Sequence, residues 1–319
     1  MEDEAKNPMH PVLLILLGSL GYCYFFVTKI PKGILRLLFL LPIFYLFSIL
    51  PWHFPSAFGR GISSFFIAWI TSFKLLLFSF DRGPLFFPHK NFFDFALVSV
   101  FPLKIKENIS PSPNQPLIAL TKLLLGTVLP ILILFYAIYK ENNSPKFTLF
   151  LYGLTALAWL YVFGTMVRYE LVPLLNHPYF ATSLQDFWGR RWNRMSSDIL
   201  RQSVYDPTRD TLMGVIGFGP AKVVAIITTL VVSGIMHEMV LYYITCGKKP
   251  TWEMAWFFVL HGLCMVMEAG LKQLARQRGW GPVPPAVSII LTVGLAIVTC
   301  NWWLVLPVWR SSQRECRFR

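Results

Sequence analysis

Long apolar runs recur along the whole chain, and they restrict its fold more than any other feature of the sequence. A helix needs about 20 mainly apolar residues to cross a hydrocarbon core of ~30 Å. Prolines mark most of the boundaries between the runs. A β-barrel would show shorter, alternating segments. We therefore predict an all-α polytopic membrane protein with about eight transmembrane helices, over approximately residues 11–27, 33–50, 58–80, 117–139, 147–167, 222–243, 253–271 and 284–307.

The composition agrees with a membrane protein, since 55% of the residues are apolar and only 14% are charged. The net charge of +13 is compatible with nucleic-acid binding in principle. The basic residues lie in short loops between spans, however, a pattern typical of the positive-inside rule and of contact with anionic lipid. We predict membrane lipid as a partner and no nucleic acid. No two histidines have the HxxH or HxxxH spacing of clustered metal ligands, so we predict no metal.

The distribution of basic residues also predicts an orientation. Three basic loops fall on one side of an eight-span chain, which we predict to be cytosolic, with the acidic N-terminus on the lumenal side. Because the apolar run from Val12 follows acidic residues, we expect a retained first span and not a cleaved signal peptide. The basic tail 310–319 would then be lumenal, which leaves the span count open between seven and nine. The three loops carry Lys29, Lys32 and Arg36; Arg168, Arg190, Arg191, Arg194, Arg201 and Arg209; and Lys272, Arg276 and Arg278.

We predict one membrane-embedded domain over 1–319, in which segment 168–220 differs from the rest. Long loops in compact domains are often functional, and this one contains the run SLQDFWGRRWNR over 183–194. Arg190 and Arg191 beside Trp188 and Trp192 could bind phosphates and an adenine ring. The same composition also suits an interfacial belt that holds an amphipathic helix at the headgroups.

His237 and Glu238 lie inside an otherwise apolar span. An ionisable group at membrane depth costs at least ~2.5–3.5 kcal/mol, so it usually faces a polar cavity or a partner. Ser233 and Gly234 precede His237 by one helical turn and share its face. These small residues leave space beside the imidazole for a substrate chain, or they allow another helix to pack closely. Glu238 points about 100° away around the helix and either holds a loop or lines the same cavity.

His261 lies in the next span, with Glu268 near the same face two turns later. Either this pair contributes to the cavity of His237, or it makes a structural contact between helices. The five cysteines show no CxxC pair and no disulfide framework, so we expect them to pack as small apolar side chains.

The run SLQDFWGRRWN over 183–193, followed about forty residues later by SGIMHE over 233–238, strongly resembles the plant wax synthase branch of the membrane-bound O-acyltransferase superfamily. Weaker similarity extends over 73–85, 91–106 and 256–262, so that the resemblance covers nearly the whole chain. The stretch TCNWW over 299–303 departs from the pattern, because it lacks the glycine pair expected before tryptophan.

The resemblance implies acyl transfer from acyl-CoA, as a co-substrate and not a tightly bound cofactor, to the hydroxyl of a lipophilic alcohol. The family's catalytic residues carry over as His237, which deprotonates the acceptor, and Asn193, which helps to hold the thioester. This agrees with the residue chemistry, since a weak nucleophile needs a base and a developing oxyanion needs a donor. Trp188, Arg190, Arg191 and Trp192 would then support the CoA entrance, and Ser233, Gly234, Glu238 and His261 the substrate cavity.

A consequence is that segment 183–220 must form a re-entrant or amphipathic structure around a buried catalytic tunnel. The family resemblance also places the enzyme in the endoplasmic reticulum. The acceptor stays open, because related enzymes acylate fatty alcohols, sterols, triterpene alcohols or diacylglycerol. Two other hypotheses are a proton-coupled transporter that uses the buried histidines and glutamates, and an inactive, lipid-binding family member.

Overall fold

The computed structural model describes residues 9–86, 91–105, 169–171 and 174–312. The chain forms two compact units, the first over 1–101 and 173–319 and the second over 102–172. The described helices are α1 (Met9–Phe25), α2 (Ile34–Ile49), α3 (Ala57–Ser63), α4 (Ser72–Ser79), α5 (Phe92–Val100), α6 (Leu184–Asp186), α7 (Arg194–Leu200), α8 (Asp206–Ile216), α9 (Phe218–Ile244), α10 (Glu253–Gln277), α11 (Pro285–Cys300) and α12 (Leu306–Ser312). The 3-10 turns are Val27–Lys29, Leu50–His53 and Pro178–Phe180, and π-helical segments cover Ser64–Thr71, Phe187–Arg191, Arg201–Tyr205 and Asn301–Val305.

The described part of the chain contains six helices that are long and apolar enough to cross a membrane. They match six of the predicted spans and confirm a helical integral membrane protein. The predicted spans 117–139 and 147–167 lie outside the described residues, so a total of eight stays a prediction. The six are Pro11–Lys29, Ile34–His53, Ala57–Ser79, Phe218–Ile244, Glu253–Gln277 and Pro285–Val308.

The third span changes its helical period in the middle. Ser56 caps its start by accepting a hydrogen bond from the backbone N–H of Gly59 at 3.0 Å. Between α3 and α4 the helix takes the wider π form, in which each residue bonds five positions back. The hydroxyl of Thr71 supports this turn by donating to the carbonyl of Phe66 at 2.7 Å.

A buried lysine joins the third span to α5. Lys74 is 2% exposed, and its ammonium donates to the carbonyls of Val98 at 2.6 Å and Phe101 at 2.7 Å. These carbonyls end α5, where the helix dipole is negative and a cation is favoured. Asn91 caps the other end of α5 by accepting from Asp94 N at 2.8 Å, so both ends of this short helix are satisfied.

Segment 174–216 is mostly helical. From Leu184 the chain passes through α6, the π segment Phe187–Arg191, α7, the π segment Arg201–Tyr205 and α8. Glu268 near the end of α10 holds the start of this series, since its Oε2 accepts from the backbone N–H of Leu184 at 2.9 Å. An amphipathic segment was predicted here, and side chains from its first part contribute to the core around Trp69.

Two buried arginines fix which helix ends meet. Arg60 donates to the carbonyl of Tyr243 at 2.8 Å, so the start of α3 lies at the C-terminal end of α9. Arg36 donates to the carbonyl of Phe78 at 2.9 Å and to Asp81 at 2.7 Å, which places the start of α2 beside the end of α4. The contact of Glu268 with Leu184 places the start of segment 184–216 beside the end of α10. That the three basic segments share one side of the membrane, and that this side is cytosolic, stay predictions.

The described residues of the second unit form one antiparallel strand pair, β1 (Leu103–Ile105) with β2 (Tyr169–Leu171). Leu103 is opposite Leu171, and Ile105 is opposite Tyr169. The prediction of a single domain stays a prediction. The predicted tail 310–319 begins inside α12, and residues 313–319 lie outside the described residues.

The cysteines follow the prediction only in part. Cys23, Cys264 and Cys300 are free, whereas Cys246, just beyond the end of α9, is disulfide-bonded. The expectation that all five are apolar fillers is therefore wrong for Cys246. Sequence spacing cannot exclude a bridge, because a disulfide depends on Cα atoms that meet in space.

Candidate active site

One cavity of about 280 Å³ contains most of the predicted site residues. Its walls come from α9, from the part of the chain between α6 and the π segment Arg201–Tyr205, from α10 and from the π segment Ser64–Thr71. Those of its lining residues that carry polar groups are Trp69, Gln185, Trp188, Arg190, Trp192, Asn193, Ser196, Ser197, Arg201, Tyr205, Thr229, Ser233 and His237. The cavity therefore combines apolar wall surface with many groups that can hydrogen-bond and orient a ligand.

His237 projects into this cavity from α9 with a defined tautomer. Its Nδ1 lies 2.7 Å from the carbonyl oxygen of Ser233, one turn earlier. A carbonyl only accepts, so Nδ1 carries the hydrogen, and in the neutral ring Nε2 presents its lone pair. Among the described residues, no group hydrogen-bonds to Nε2. The arrangement leaves one histidine nitrogen available as a proton acceptor.

Aromatic rings hold the imidazole on two sides. The ring centroid of Phe258 lies 4.3 Å from that of His237, and the indole of Trp69 meets the imidazole edge to face at 5.1 Å. Phe258 comes from α10 and Trp69 from the π segment of the third span, so three helices determine the orientation of the ring. An imidazole held in this way has little rotational freedom left to lose when it binds a partner.

Asn193 lies across the same cavity at the start of α7. Its backbone is left-handed, with φ of 41°, a conformation that asparagine tolerates better than most residues. Its Oδ1 accepts from the backbone N–H of Ser196 at 3.3 Å and caps the helix. Because the oxygen is engaged in the cap, the amide nitrogen is the part of the side chain that remains to donate. The structure thus brings Asn193 and His237 to one cavity.

Three of the four residues predicted at the CoA entrance also line the cavity: Trp188, Arg190 and Trp192. Arg191 does not line the cavity, and its place at the CoA entrance stays a prediction. Its guanidinium forms an ion pair with Asp186 and donates to the carbonyl of His177 at 3.2 Å. The turn Phe187–Arg191 points neighbouring side chains in different directions, so Arg191 braces the turn while Arg190 faces the cavity.

Of the four predicted substrate-cavity residues, Ser233 lines the cavity and the other three do not. Gly234 packs against α10, where a Cβ atom would lie 2.9 Å from Cα of Ala255. His261 is fully buried, with Nδ1 donating to Phe257 O at 3.0 Å and Nε2 beside the hydroxyl of Thr299 at 3.4 Å. Both residues serve helix packing, the alternative that the sequence left open for each.

Glu238 faces away from His237 and holds the turn between α9 and α10. Its Oε1 accepts from the backbone N–H of Trp252 at 2.9 Å. Trp252 has φ of 63° and begins α10. The carboxylate also borders a second cavity of about 140 Å³ at the C-terminal end of α9, with Tyr242, Lys248 and Arg310. The rotation of about 100° between adjacent helical residues accounts for this separation.

Sequence reasoning missed several residues of the cavity, namely Trp69, Ser196, Arg201 and Tyr205. Trp69 carries no local signal, because it lies in an ordinary apolar span. Arg201 and Tyr205 belong to a π segment, whose period differs from that used to assign helix faces. Arg201, with 70% of its side chain exposed, and the exposed Arg190 place two cations around the cavity.

Comparison with known proteins gives a consistent result. The sequence model of the "Membrane bound O-acyl transferase family" matches residues 171–260 of this chain. "Probable long-chain-alcohol O-fatty-acyltransferase 3" of Arabidopsis thaliana is 37% identical over 98% of this chain and 92% of its own length. "Acyl-CoA--sterol O-acyltransferase 1" of the same plant is 39% identical over 92% of this chain and 88% of its own length.

The matched region 171–260 contains both Asn193 and His237. The similarity to the long-chain-alcohol relative extends far beyond residues 171–260 and covers almost the whole length of this chain and of that relative. The chain therefore belongs to the membrane-bound O-acyltransferase family, in its plant wax synthase branch, and is an acyltransferase.

Proposed function

We propose that this enzyme transfers a fatty acyl group from acyl-CoA to the hydroxyl of a long-chain alcohol, with His237 as the general base. The observation that carries the proposal is the Nε2 atom of His237, which faces a cavity shared with Asn193 while Nδ1 is held by Ser233 O. The relatives named for long-chain alcohols support this acceptor class. Acyl-CoA acts as a co-substrate, and no bound cofactor is part of the proposal.

The reaction begins when Nε2 of His237 accepts the proton of the alcohol as its oxygen attacks the thioester carbon. The carbonyl electron pair moves onto oxygen, and a tetrahedral intermediate forms. Its collapse restores the carbonyl, breaks the carbon–sulfur bond and releases the CoA thiolate, which takes the proton from His237. The carbonyl of Ser233 stabilises the imidazolium through the Nδ1–H bond in the same way that an acceptor orients other catalytic histidines.

Asn193 positions the thioester in this scheme. Its Oδ1 is fixed by the cap to Ser196 N, so Nδ2 is directed by the same bond and can donate to the acyl group. A donor held rigidly before the reaction costs no reorganisation during it. The helix cap therefore uses Oδ1 of Asn193, and the proposed contact with the acyl group uses Nδ2 of the same side chain.

Arg190 and Arg201 suit the phosphates of CoA, and Trp188 and Trp192 suit its adenine or pantetheine portion. Guanidinium groups bind phosphate in fixed geometry, and indole rings stack on flat or apolar groups. A cavity of about 280 Å³ is at the low end for small-molecule sites. It accommodates the reacting thioester and hydroxyl, with the long chains extending towards lipid. We place the enzyme in the endoplasmic reticulum, with the end of the helices that carries Arg190 and Arg201 facing the cytosol.

The acceptor class is the least constrained part of the proposal. The relative named for sterols is 39% identical to this chain, so a sterol hydroxyl is the second candidate acceptor. Both alcohols would meet the same base, and only the apolar walls of the site would distinguish them.

The test is an acyltransferase assay on membranes from a host without endogenous activity. Labelled acetyl-CoA and palmitoyl-CoA are offered with fatty alcohols, sterols, triterpene alcohols and diacylglycerol, and His237→Ala is measured beside the wild type. We expect a fatty-alcohol ester that disappears in the variant.

His261→Asn is the matched control, because His261 is a second membrane-embedded histidine whose nitrogens are both occupied. It should retain ester formation per folded molecule. Loss of activity only in His261→Asn would refute the assignment of the base. A folded wild type that makes no ester from any acceptor would favour the transporter or the inactive family member.

A further inference from the structure

Four buried side-chain atoms in the described part of the chain have no hydrogen-bond partner. Three of them belong to residues that line the cavity of His237: Trp69 Nε1, Trp188 Nε1 and Ser196 Oγ. Roughly 90% or more of buried polar groups in proteins are hydrogen-bonded, because an unpaired buried group is costly. Their concentration around one cavity indicates a ligand that brings hydrogen-bond acceptors.

The indole of Trp69 restricts what that ligand atom can be. Its Nε1–H donates and never accepts, and it does not ionise at physiological pH. Its partner must therefore be an acceptor such as a carbonyl oxygen or an oxyanion. An alcohol could also accept, but the alcohol in the proposed reaction already donates to His237 and becomes bonded to carbon.

The position of Trp69 selects the reacting carbonyl. The indole is 1% exposed and is held between Phe65, at 5.1 Å between ring centroids, and His237, also at 5.1 Å. The indole is thus fixed next to the base, and its unpaired Nε1–H belongs to a residue that lines the same cavity. The carbonyl that the deprotonated alcohol attacks must lie within bonding distance of that alcohol, so its oxygen lies in the part of the cavity that His237 and Trp69 share.

Ser196 supplies a second unpaired donor to the same cavity, from α7. Its backbone N–H binds Oδ1 of Asn193 at 3.3 Å, so the hydroxyl of Ser196 and the amide of Asn193 share one helical turn. Ser196 is 6% exposed, and Met195 beside it packs in the same core cluster as Trp69. Two unpaired donors from separate elements therefore belong to residues that line the cavity shared by His237 and Asn193.

We propose that Trp69 Nε1–H and Ser196 Oγ–H bind the acyl carbonyl oxygen and stabilise its negative charge in the tetrahedral intermediate. This inference rests on the proposed function. As the alcohol oxygen bonds to the acyl carbon, its proton passes to His237 and the carbonyl electron pair moves to the oxygen between these two donors. When the pair returns, the carbon–sulfur bond breaks, and the thiolate leaves with the proton from His237. Trp188 is not included, because its indole contacts His261 and Phe257 rather than His237 and is assigned to the CoA portion in the proposed function.

The test compares Trp69→Phe and Ser196→Ala with the wild type in the ester-forming assay. Trp69→Phe keeps an aromatic ring between Phe65 and His237 and removes the N–H. Removal of one oxyanion donor typically lowers kcat by ~10²–10³-fold, and we expect a loss in this range for Trp69→Phe with KM for acyl-CoA nearly unchanged. Ser196→Ala should lower kcat while leaving the cap intact, since the cap uses its backbone N–H.

Matched controls are Trp256→Phe and Ser203→Ala. Trp256 is 63% exposed, and the hydroxyl of Ser203 donates to Ile199 O at 2.7 Å; neither residue lines the cavity. Both variants should keep the wild-type kcat. Thermal unfolding of every variant separates a lost donor from a damaged fold.

If Trp69→Phe unfolds, 3-benzothienylalanine at position 69 replaces it, because that side chain keeps the bicyclic shape and lacks the N–H. A low kcat with this residue supports the proposal, and a wild-type kcat overturns it. An active wild type with an inactive His237→Ala and a fully active Trp69→Phe would overturn only this inference. A wild type without ester product would remove the proposed function itself.

Discussion

Gly234→Ala is predicted to separate two tightly packed helices and to lower activity through that displacement. Gly234 lies on α9 where it meets α10. An added Cβ atom would lie 2.9 Å from Cα of Ala255, 3.0 Å from its carbonyl oxygen and 3.4 Å from its carbonyl carbon. These are backbone atoms, so a rotamer change cannot relieve the contact and α10 itself must move.

The size of the effect follows from two opposing contributions. Alanine favours a helix over glycine by about 1 kcal/mol, whereas overpacking costs about 1–3 kcal/mol. Gly270 on α10 has nothing within 4 Å of the added atom, so Gly270→Ala shows only the first contribution. The free energy of unfolding of Gly234→Ala should therefore fall by roughly 1–3 kcal/mol relative to Gly270→Ala. Phe258, one turn after Ala255 and 4.3 Å from His237, would shift with α10.

The assay is thermal unfolding of the purified variants in detergent, together with ester formation per folded molecule. Gly262→Ala is an intermediate case, because its Cβ would meet only side-chain ends, Ile227 Cδ1 at 3.1 Å and Leu230 Cδ1 at 3.2 Å. We expect Gly270→Ala to be the most stable of the three variants, Gly262→Ala to be intermediate and Gly234→Ala to be the least stable. Equal stability and equal activity of the first and last variants would refute the packing argument.

Three further predictions concern single side chains. Asn193→Asp preserves the cap oxygen and removes the amide donor, so activity should fall about tenfold or more with unchanged thermal stability. Asn193→Ala removes the cap as well and should lower the free energy of unfolding by about 0.5–2 kcal/mol. A fully active Asn193→Asp would exclude the donor role. Arg190→Gln should raise KM for acyl-CoA, less at high salt. Arg209→Gln should not, because Arg209 lies outside the cavity and pairs with Asp206 and Asp210; equal shifts would mean a general charge effect. Lys74→Met should lower stability by about 1–3 kcal/mol through two unpaired carbonyls, which an unchanged unfolding temperature would contradict.

Hydropathy predicted the described spans well, because the length of an apolar run measures how far a helix can extend in lipid. The boundaries deviate where polar residues continue a helix at the interface. The predicted seventh span ends at 271, for example, whereas α10 continues through Lys272 and Arg276 to Gln277. Charges in the last turn of a helix are compatible with the helix even when they are not compatible with the membrane core.

The candidate site was accessible to sequence reasoning only along one helix at a time. The period of α9 placed Ser233 beside His237, as observed. It put Glu238 about 100° away around the helix but left open whether that side chain lines the cavity or holds a loop, as it does in the structure. Which face of a helix meets which neighbour depends on tertiary packing. The sequence therefore could not show that His261 and Gly234 lie outside the cavity. Trp69 could not be found at all, because its contribution arises where a distant span crosses α9.

The π-helical segments make the site sensitive to chain length in a particular way. Three of them carry cavity residues, Trp69 in Ser64–Thr71, Arg190 in Phe187–Arg191 and Tyr205 in Arg201–Tyr205. A π turn holds one residue more than an α turn before the backbone bonds close. Deletion of a single residue before Trp69 could thus leave a continuous, fully hydrogen-bonded span and yet turn the indole by about 100° away from His237. At these positions the number of residues in the turn determines where the cavity side chains point, whatever those side chains are.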